Sequence, residues 1–587
     1  MTTGSTLDEL TVALRGLGSS RPDPDDLQRL GRRVRRARRD PQAPAALKIR
    51  IISSFLVDML ADAVAGALLR RGVIADVELA PYGALPMELI SGSPSADLLM
   101  LLPSHRDLSR APPMGASAEE VEQAAVAEAG FWAGLWPADR PVVQLTFDPP
   151  ATRPLGEADG LMPGGKLHYA RAVNRHMARQ APANVALVDA EALAGAIGAD
   201  WHNERTYALC KQPFANSAIG DVAEALASTA AGCLGKARKV LVLDLDNTIW
   251  GGVIGDVGLK GLVLGMETAE GEAFVGVQRY AQALSRRGVL LAVCSKNDEA
   301  IAKTAFGGHS GMVLRQEDIA CFVASFDDKA TNLRRIAETL NVGLDSLVFV
   351  DDNPVERAWV KSQLPEVLVV DLPEDPTGYV QAIESARCFP MHRLTREDLT
   401  RSGSYQARAK TTAAASSAAD MGAFLADLEP RLTWSGLLPD NADRVIQLIG
   451  KTNQFKINPH LFGLEDLEKL EIFAISLSDS LQDYGIVAVV VTQRRGPDFV
   501  IRQWVMSCRV FGRRLEHGTL EVLRDAARRH GSERIVMTFT PSAKNGVARD
   551  YLAALGFDGE SGELAVAVNA ALSVPHHMKI MEMKNSA

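Results

Sequence analysis

The stretch Lys239-Val-Leu-Val-Leu-Asp244-Leu-Asp246-Asn-Thr248 decides how this chain folds: an apolar run ends on two carboxylates placed two positions apart. A continuous apolar run is typical of a strand buried on both faces of a parallel sheet. Open α/β sheets bind ligands beyond the carboxyl ends of their strands, and alternation along the chain sends both carboxylates to one side. One carboxylate can then attack as a nucleophile while the other moves a proton. The alternative is a strand that ends in acidic residues because carboxylates are favoured at helix starts.

Three later segments favour the ligand-binding interpretation. A second apolar run ends on the hydroxyl of Ser295, Lys329 lies at the start of a helical pattern, and a third apolar run ends on Asp351 and Asp352. An amine and a hydroxyl can hold phosphate oxygens, and clustered carboxylates suit Mg²⁺, which prefers oxygen ligands. Together these residues predict a site for a phosphate group and a hard cation.

The four motifs, in this order, resemble those of the haloacid dehalogenase superfamily of Mg²⁺-dependent phosphotransferases. The resemblance implies that Asp244 is a nucleophile that forms an aspartyl-phosphate and that Asp246 is the general acid and base. Ser295 and Lys329 would bind the transferring phosphoryl group. An Asp at position 246, where the superfamily's ATPases have Thr, is the pattern of its phosphatases.

The resemblance also implies a Mg²⁺ site, to which Asp246 would contribute its backbone carbonyl. The candidate metal ligands are Asp244, Asp246, Asp351 and Asp352. Beside them, Thr248 and Asn353 are further candidates for phosphate binding.

Longer segments resemble the FkbH-like branch of that superfamily. They are Asp244–Asp256, Cys294–Asp298, Asp328–Arg334, Phe349–Arg357, Lys451–Phe455 and Ser507–Arg513. The resemblance implies an enzyme that takes 1,3-bisphosphoglycerate, loses phosphate and leaves a glyceryl thioester on the phosphopantetheine arm of an acyl carrier protein for polyketide biosynthesis. The alternatives are a plain Mg²⁺-dependent phosphatase of small or carrier-attached phosphoesters and a non-catalytic scaffold. The complete acidic and phosphate-binding set argues against the scaffold.

Two thiols are candidates for a covalent acyl intermediate. Cys294 directly precedes Ser295, and Cys508 opens a glycine-containing loop at a helix start, where a thiolate is favoured. Free cysteines are more often small buried hydrophobes, and direct transfer to the carrier thiol is the alternative to either residue.

Composition places the chain among large globular enzymes. Its 587 residues suggest three to four domains at roughly 150–200 residues each, and its apolar and charged contents of 47% and 23% are ordinary. The net charge of −9 argues against nucleic acid as a main partner, and no apolar run predicts a membrane span. Six scattered cysteines without a CxxC pair predict reduced thiols in a cytoplasm.

The expected fold class is multidomain α/β, with a Rossmann-like parallel core between two further α/β domains. The predicted segments are 1–45, a basic helical segment; 46–232, similar to SGNH hydrolases; 233–385, the phosphotransferase core; 386–419, a linker; and 420–587, similar to N-acetyltransferases of the GNAT type. Alternating strands and helices over residues 46–232 predict a parallel sheet.

The first α/β domain is expected to lack hydrolytic chemistry. Ser53 or Ser54 lies where an SGNH-like fold would place its nucleophile, but the required Asp-x-x-His is replaced by Asp200-Trp-His202, one residue short. Either serine is then a turn or cap hydroxyl.

The last domain carries Arg509-x-x-Gly512, which resembles the acetyltransferase loop that offers backbone N–H groups to a pyrophosphate at a helix start. Arg514 stands where that loop normally has a small residue, which favours the single phosphate of a carrier arm over coenzyme A. Further polar groups of this domain are Asn453, Lys544 and Asn545.

Overall fold

The computed structural model describes residues 23–38, 46–92, 95–399, 426, 428–452, 454–480, 483–507, 510–511, 513–542, 545–570 and 577–583. The described residues form two compact units. One holds the residues up to Ala237 together with Glu384–Arg393, and the other holds Arg238–Ile383 and the residues from Leu394 onward.

The first unit contains a five-stranded parallel sheet with the strand order β2-β1-β3-β4-β5. The strands are β1 (Leu47–Ser53), β2 (Ala75–Leu79), β3 (Leu98–Leu102), β4 (Val142–Leu145) and β5 (Val185–Val188). The helices are α1 (Pro24–Arg38), α2 (Asp58–Arg70), α3 (Met87–Ile90), α4 (Ala118–Ala133), α5 (Lys166–Gln180), α6 (Ala190–Ile197), α7 (Glu204–Cys210) and α8 (Ile219–Cys233). Every residue of β3 is buried, as expected for a parallel strand covered on both faces.

Helix α1 is the predicted basic helix, and it packs closely on α2. A Cβ atom on Gly31 would lie 1.6 Å from the carbonyl oxygen of Asp62, so only glycine permits this approach. Arg35 pairs with the Asp62 carboxylate at 2.7 Å, while Arg32, Arg33 and Arg36 are exposed. The basic helix therefore has a solvated arginine face, and both Arg35 and Arg32 pair with Asp62, at 2.7 and 3.9 Å.

The second unit contains a parallel sheet with the order β10-β9-β6-β7-β8. Its strands are β6 (Val240–Leu243), β7 (Leu290–Ser295), β8 (Ile319–Ala324), β9 (Leu347–Val350) and β10 (Leu368–Val369). Its helices are α9 (Ile254–Gly261), α10 (Ala269–Arg286), α11 (Glu299–Gly308), α12 (Lys329–Leu340), α13 (Pro354–Gln363), α14 (Tyr379–Ser385) and α15 (Arg396–Leu399). Because β6 lies between β9 and β7, the chain segments that leave these three strands meet at one edge.

The rest of the second unit is a seven-stranded mixed sheet with the order β16-β15-β14-β13-β12-β11-β17. Its strands are β11 (Arg431–Ser435), β12 (Glu471–Ser478), β13 (Asp483–Arg495), β14 (Asp498–Met506), β15 (Arg534–Phe539), β16 (Gly562–Ala567) and β17 (Lys579–Glu582). Its helices are α16 (Ala442–Lys451), α17 (Leu464–Glu468), α18 (Leu515–Arg529) and α19 (Gly546–Ala554). Neighbouring strands are antiparallel except for two parallel pairs, β14 with β15 and β11 with β17. The predicted multidomain α/β class is confirmed.

The boundaries of the units differ from the predicted segments. The first falls between Ala237 and Arg238, because helix α8 ends at Cys233 and a turn follows it before β6. The predicted linker begins inside the first unit, where the hydroxyl of Ser228 donates to the carbonyl of Arg387 at 2.7 Å. Its alanine-rich stretch lies outside the described residues. In the described part of the chain, no helix has the length and apolar composition needed to span a bilayer.

Candidate active site

Three strand ends bring the predicted carboxylates together. Leu243 of β6 pairs in register with Val350 of β9 on one side and Val293 of β7 on the other. The backbone N–H of Asp244 donates to the carbonyl of Val350 at 2.9 Å, which extends the ladder by one step. Asp244 therefore follows the central strand directly beside the residue that follows β9, Asp351.

Lys329 joins the two carboxylates. Its ammonium lies 2.6 Å from Asp244 Oδ1, 2.7 Å from the carbonyl oxygen of Cys294 and 3.2 Å from Asp351 Oδ2. The side chain is 2% exposed. Burial by itself would lower the pKa of this amine, but the charges of Asp244 and Asp351 outweigh that effect and raise it. Lys329 is thus a fixed positive charge at the base of the site.

Asp244, Asp351 and Asp352 form a carboxylate cluster in which one oxygen of each lies within 4.8 Å of the others. Burial and the charge of Asp244 raise the pKa of Asp351 to about 7, against the opposing effect of Lys329. Asp351 Oδ2 is buried, and in the described part of the chain it forms an ion pair with the Lys329 ammonium at 3.2 Å. Three crowded carboxylates with one neighbouring amine fit a hard divalent cation such as Mg²⁺.

Asp246 is held apart from this cluster by its own hydrogen bonds. Oδ1 accepts from the indole N–H of Trp250 at 2.8 Å and from the backbone of Ile254 at 3.1 Å. Oδ2 accepts from Asn297 Nδ2 at 2.8 Å. The carboxylate is therefore oriented on both oxygens, as a group that transfers protons at a defined position must be.

Sequence reasoning missed the positioning roles of Asn297 and Trp250. Both residues lie in segments that carry the family resemblance, so their positions in those segments were the available signal. Asn297 also donates to Ser295 Oγ at 3.1 Å and so links two predicted site residues. Ser295 is 1% exposed, and its own hydroxyl hydrogen has no acceptor within the described chain, which leaves it available to a phosphoryl oxygen.

The structure corrects the expected roles of Thr248 and Asn353. Thr248 is fully buried, accepts from the backbone N–H of Asp352 at 3.1 Å and donates to Asp352 Oδ1 at 3.4 Å. Asn353 accepts from the backbone of Val355 at 2.9 Å and caps helix α13. Its own backbone N–H donates to Asp351 Oδ1 at 2.8 Å. Both residues hold carboxylates in place instead of presenting a side chain to phosphate.

Cys294 does not have the surroundings of a nucleophile. The residue is fully buried, and burial, which outweighs the nearby charge of Lys329, raises the pKa of its thiol to about 12. A covalent intermediate needs an accessible thiolate, so the structure places Cys294 in the packed core and not in the role of a nucleophile.

Most of the predicted loop of the last domain lies outside the described residues. The predicted site residues that fall outside are Cys508, Arg509, Gly512, Asn453 and Lys544. Arg514 has a left-handed backbone (φ 60°) immediately before α18. Asn545 is used structurally: its amide donates to the carbonyls of Lys456 and Thr540, each at 3.0 Å.

In the first unit, the serines and the Asp200-Trp-His202 segment do not form a catalytic group with one another. Ser53 Oγ donates to the carbonyl of Leu102 at 3.2 Å, and Ser54 Oγ donates to Asp107 Oδ2 at 2.6 Å. Asp200 accepts from the hydroxyl of Ser217 at 2.7 Å rather than orienting a histidine.

A comparison with solved structures finds a similar chain in the N-terminal part of the protein BF1531 from Bacteroides fragilis, which contains a phosphatase domain and is complexed with Mg. It is 27% identical with a TM-score of 0.56, and the match covers 62% of this chain and 99% of that one. A second match is the ribosomal-protein-S18-alanine N-acetyltransferase from Escherichia coli, which covers 24% of this chain and 96% of that one. Its identity is 17% and its TM-score 0.18, which is too low to assign a fold or a role. No protein-family model and no curated protein matches the chain.

Proposed function

We propose that this chain is a Mg²⁺-dependent phosphatase and acyl transferase of the haloacid dehalogenase type. It removes phosphate from 1,3-bisphosphoglycerate and leaves the glyceryl unit as a thioester on an acyl carrier protein. The observation that carries the phosphatase part is the buried contact of Lys329 with Asp244 and Asp351, beside a separately oriented Asp246. The similar fragment of BF1531, which contains a phosphatase domain and was crystallised with Mg, supports the same part.

The residues divide the phosphatase reaction between them. Asp244 attacks the phosphorus of the phosphomonoester, and the bond to the leaving oxygen breaks while Asp246 protonates that oxygen. Asp246 then takes a proton from the water that attacks the aspartyl-phosphate, which releases inorganic phosphate and restores Asp244. Lys329 and Ser295 offset the charge on the phosphoryl oxygens. A Mg²⁺ ion held by Asp244, Asp351 and Asp352, with the backbone carbonyl of Asp246, would supply further positive charge.

Thioester formation is a separate bond exchange at the other end of the substrate. The thiol of the carrier's phosphopantetheine arm attacks the acyl carbon, the bond from that carbon to the acyl-phosphate oxygen breaks, and inorganic phosphate leaves with the electron pair. The resemblance of residues 420–587 to acetyltransferases supports a role of that segment in holding the arm. This assignment needs no covalent enzyme thioester, and an acyl intermediate on Cys508 is the alternative proposal. The partners are thus a small phosphorylated substrate and a carrier protein in the cytoplasm, with neither nucleic acid nor a membrane.

A plain Mg²⁺-dependent phosphatase of small or carrier-attached phosphoesters is the second candidate. It requires only the contacts of Lys329 with Asp244 and Asp351, which serve phosphate removal without a carrier protein or an acyl acceptor.

The test is the intact mass of a phosphopantetheinylated carrier protein after incubation with the enzyme, Mg²⁺ and 1,3-bisphosphoglycerate. We expect a glyceryl adduct on the carrier and released phosphate, with phosphate from the monoester absent in an Asp244→Asn control. Phosphate release without an adduct would overturn the acyl-transfer part and support the plain phosphatase. If neither phosphate nor an adduct formed, the whole proposed function would be overturned.

A further inference from the structure

A second group of ionisable side chains lies at the carboxyl edge of the parallel sheet in the first unit. His105 follows β3 and Asp148 follows β4. His105 Nδ1 lies 3.0 Å from Asp148 Oδ1, and the backbone N–H of His105 donates to the same oxygen at 2.7 Å. Because ligands of α/β sheets bind beyond the carboxyl ends of the strands, this pair occupies a position where ligands commonly bind in such folds.

Asp148 is fixed as an acceptor for the histidine. Its second oxygen accepts from the indole N–H of Trp201 at 3.0 Å, and the residue is 2% exposed. Burial by itself would raise the pKa of Asp148, but the hydrogen bonds and charge of His105, with the Trp201 bond, lower it. An ionised acceptor at Nδ1 places the proton of a neutral imidazole there and leaves Nε2 as the basic nitrogen. Nε2 has no hydrogen-bond partner in the described part of the chain.

Two further groups adjoin the pair. The ring of His202 meets the ring of His105 edge to face, with centroids 5.9 Å apart, and burial lowers the pKa of His202. Burial raises the pKa of Asp107, against the hydrogen bond from Ser54. Asp107 and Asp148 are thus shifted in opposite directions within one cluster, which is characteristic of sites that move protons.

The rim of the cluster is cationic. The guanidinium of Arg106 lies 3.9 Å from the ring centroid of Tyr207, and the ammonium of Lys211 lies 5.2 Å from the same centroid. Arg106 also pairs with Glu204 at 2.8 Å, whereas Lys211 makes no ion pair with any described residue. An anionic group on a ligand would therefore find a complementary charge beside the histidines.

We propose that His105, oriented by Asp148, is the general base of a second site that hydrolyses acyl thioesters or esters bearing an anionic group. His105 Nε2 takes a proton from a water molecule whose oxygen attacks the acyl carbon. The resulting oxyanion accepts a hydrogen bond from His202. The intermediate collapses, the bond from carbon to sulfur or oxygen breaks, and His105 returns the proton to the leaving group.

Water rather than Ser54 is the nucleophile of this site, because the Ser54 hydroxyl already donates to Asp107 Oδ2 at 2.6 Å. The assignment reverses the expectation that this domain lacks hydrolytic chemistry. That expectation rested on Asp200 and His202, whereas the structure joins a histidine and an aspartate from the loops after β3 and β4.

The test uses the full-length protein and two thioesters, succinyl-N-acetylcysteamine as the anionic probe and butyryl-N-acetylcysteamine as the neutral one. Free thiol is followed in one assay and phosphate release in another, on the same preparations. We expect hydrolysis that prefers the succinyl probe and that falls about 100-fold or more in His105→Gln, with phosphate release unchanged. Asp244→Asn should keep thioester hydrolysis, which separates this proposal from the phosphatase assignment.

The matched control is His176→Gln, since His176 also contacts a carboxylate, Glu122, at 2.8 Å, but on helix α5. It should hydrolyse both probes like the wild type. Absence of hydrolysis by the wild type, or equal rates in His105→Gln and wild type, would overturn the proposal, and loss of hydrolysis in Ser54→Ala would overturn the water mechanism.

Discussion

Lys329 Nζ lies 2.6 Å from Asp244 Oδ1, and this contact joins residues 85 positions apart in the chain. Asp244 follows the central strand β6, and Lys329 begins helix α12 after β8, beyond the neighbouring strand β7. The amine reaches across the end of β7, where it also donates to the carbonyl of Cys294. A buried cation is thereby fixed against the carboxylate that we propose as the nucleophile.

Replacing Lys329 with methionine should lower both activity and stability. The substitution leaves Asp244 and Asp351 buried without their counter-charge, and breaking a buried ion pair costs about 3–5 kcal/mol. In urea denaturation of the full-length protein, Lys329→Met should have a clearly lower free energy of unfolding than the wild type. Lys303→Met is the control, because its pair with Glu299 is on the helix surface and should contribute less than about 0.5 kcal/mol. Equal effects of the two substitutions would contradict the assigned role.

Asp244→Asn should abolish phosphate release while leaving the protein folded. An amide cannot form the aspartyl-phosphate, so we expect a loss of at least ~10³-fold in kcat. Phosphate release and thermal unfolding should be measured together, with Asp256→Asn on the exposed start of α9 as the control. A folded Asp244→Asn enzyme that releases phosphate at the wild-type rate would remove this residue from the nucleophile's role.

Excess chelator should stop phosphate release, and added Mg²⁺ should restore it. Because a ligand that binds the folded state stabilises it, Mg²⁺ should also raise the Tm of the wild type. Asp351→Asn removes a charge from the three-carboxylate cluster and should abolish most of this Tm increase. Activity that persists in chelator would exclude the metal site.

Asn297→Ala should slow catalysis without preventing substrate binding. The amide holds Asp246 Oδ2 and Ser295 Oγ, and loss of that alignment should lower kcat by roughly 10–100-fold. KM should change much less, since Lys329 keeps its contacts. A change confined to KM would mean that Asn297 binds substrate instead of orienting Asp246.

The stability supplied by the Asp328 cap of α12 should depend on pH. Hydrogen bonds from Thr331 and Trp359 lower the pKa of Asp328 to about 2, below its ordinary value. The contribution of the ionised Asp328 cap to the free energy of unfolding is therefore complete above pH ~4 and is lost as the pH falls toward 2. Since the side chain is mostly solvated, the effect should be below about 1 kcal/mol. The difference in Tm between wild type and Asp328→Asn should shrink as the pH falls, and a difference that grows would contradict this sign.

The sequence by itself determined the strand ends that build the candidate site. Apolar runs that stop on Asp244, Ser295 and Asp351 specify buried parallel strands, and the carboxyl ends of such strands share one edge. Asp246 could be identified in the same way, because its spacing from Asp244 is local, whereas its phosphatase-type role is what the resemblance to the haloacid dehalogenase superfamily implies. These features depend on residue spacing along the chain, which can be read from the sequence without knowing the fold.

Only the tertiary structure decided which polar atoms meet. Thr248 bonds to Asp352 rather than facing phosphate, and the His105–Asp148 pair joins two loops that are 43 positions apart. Such contacts depend on loop paths and side-chain rotamers, which must satisfy the hydrogen bonds of buried polar groups over long sequence separations. Periodicity carries no information on those paths, so the sequence identified the edge of each sheet, and packing selected the partners on it.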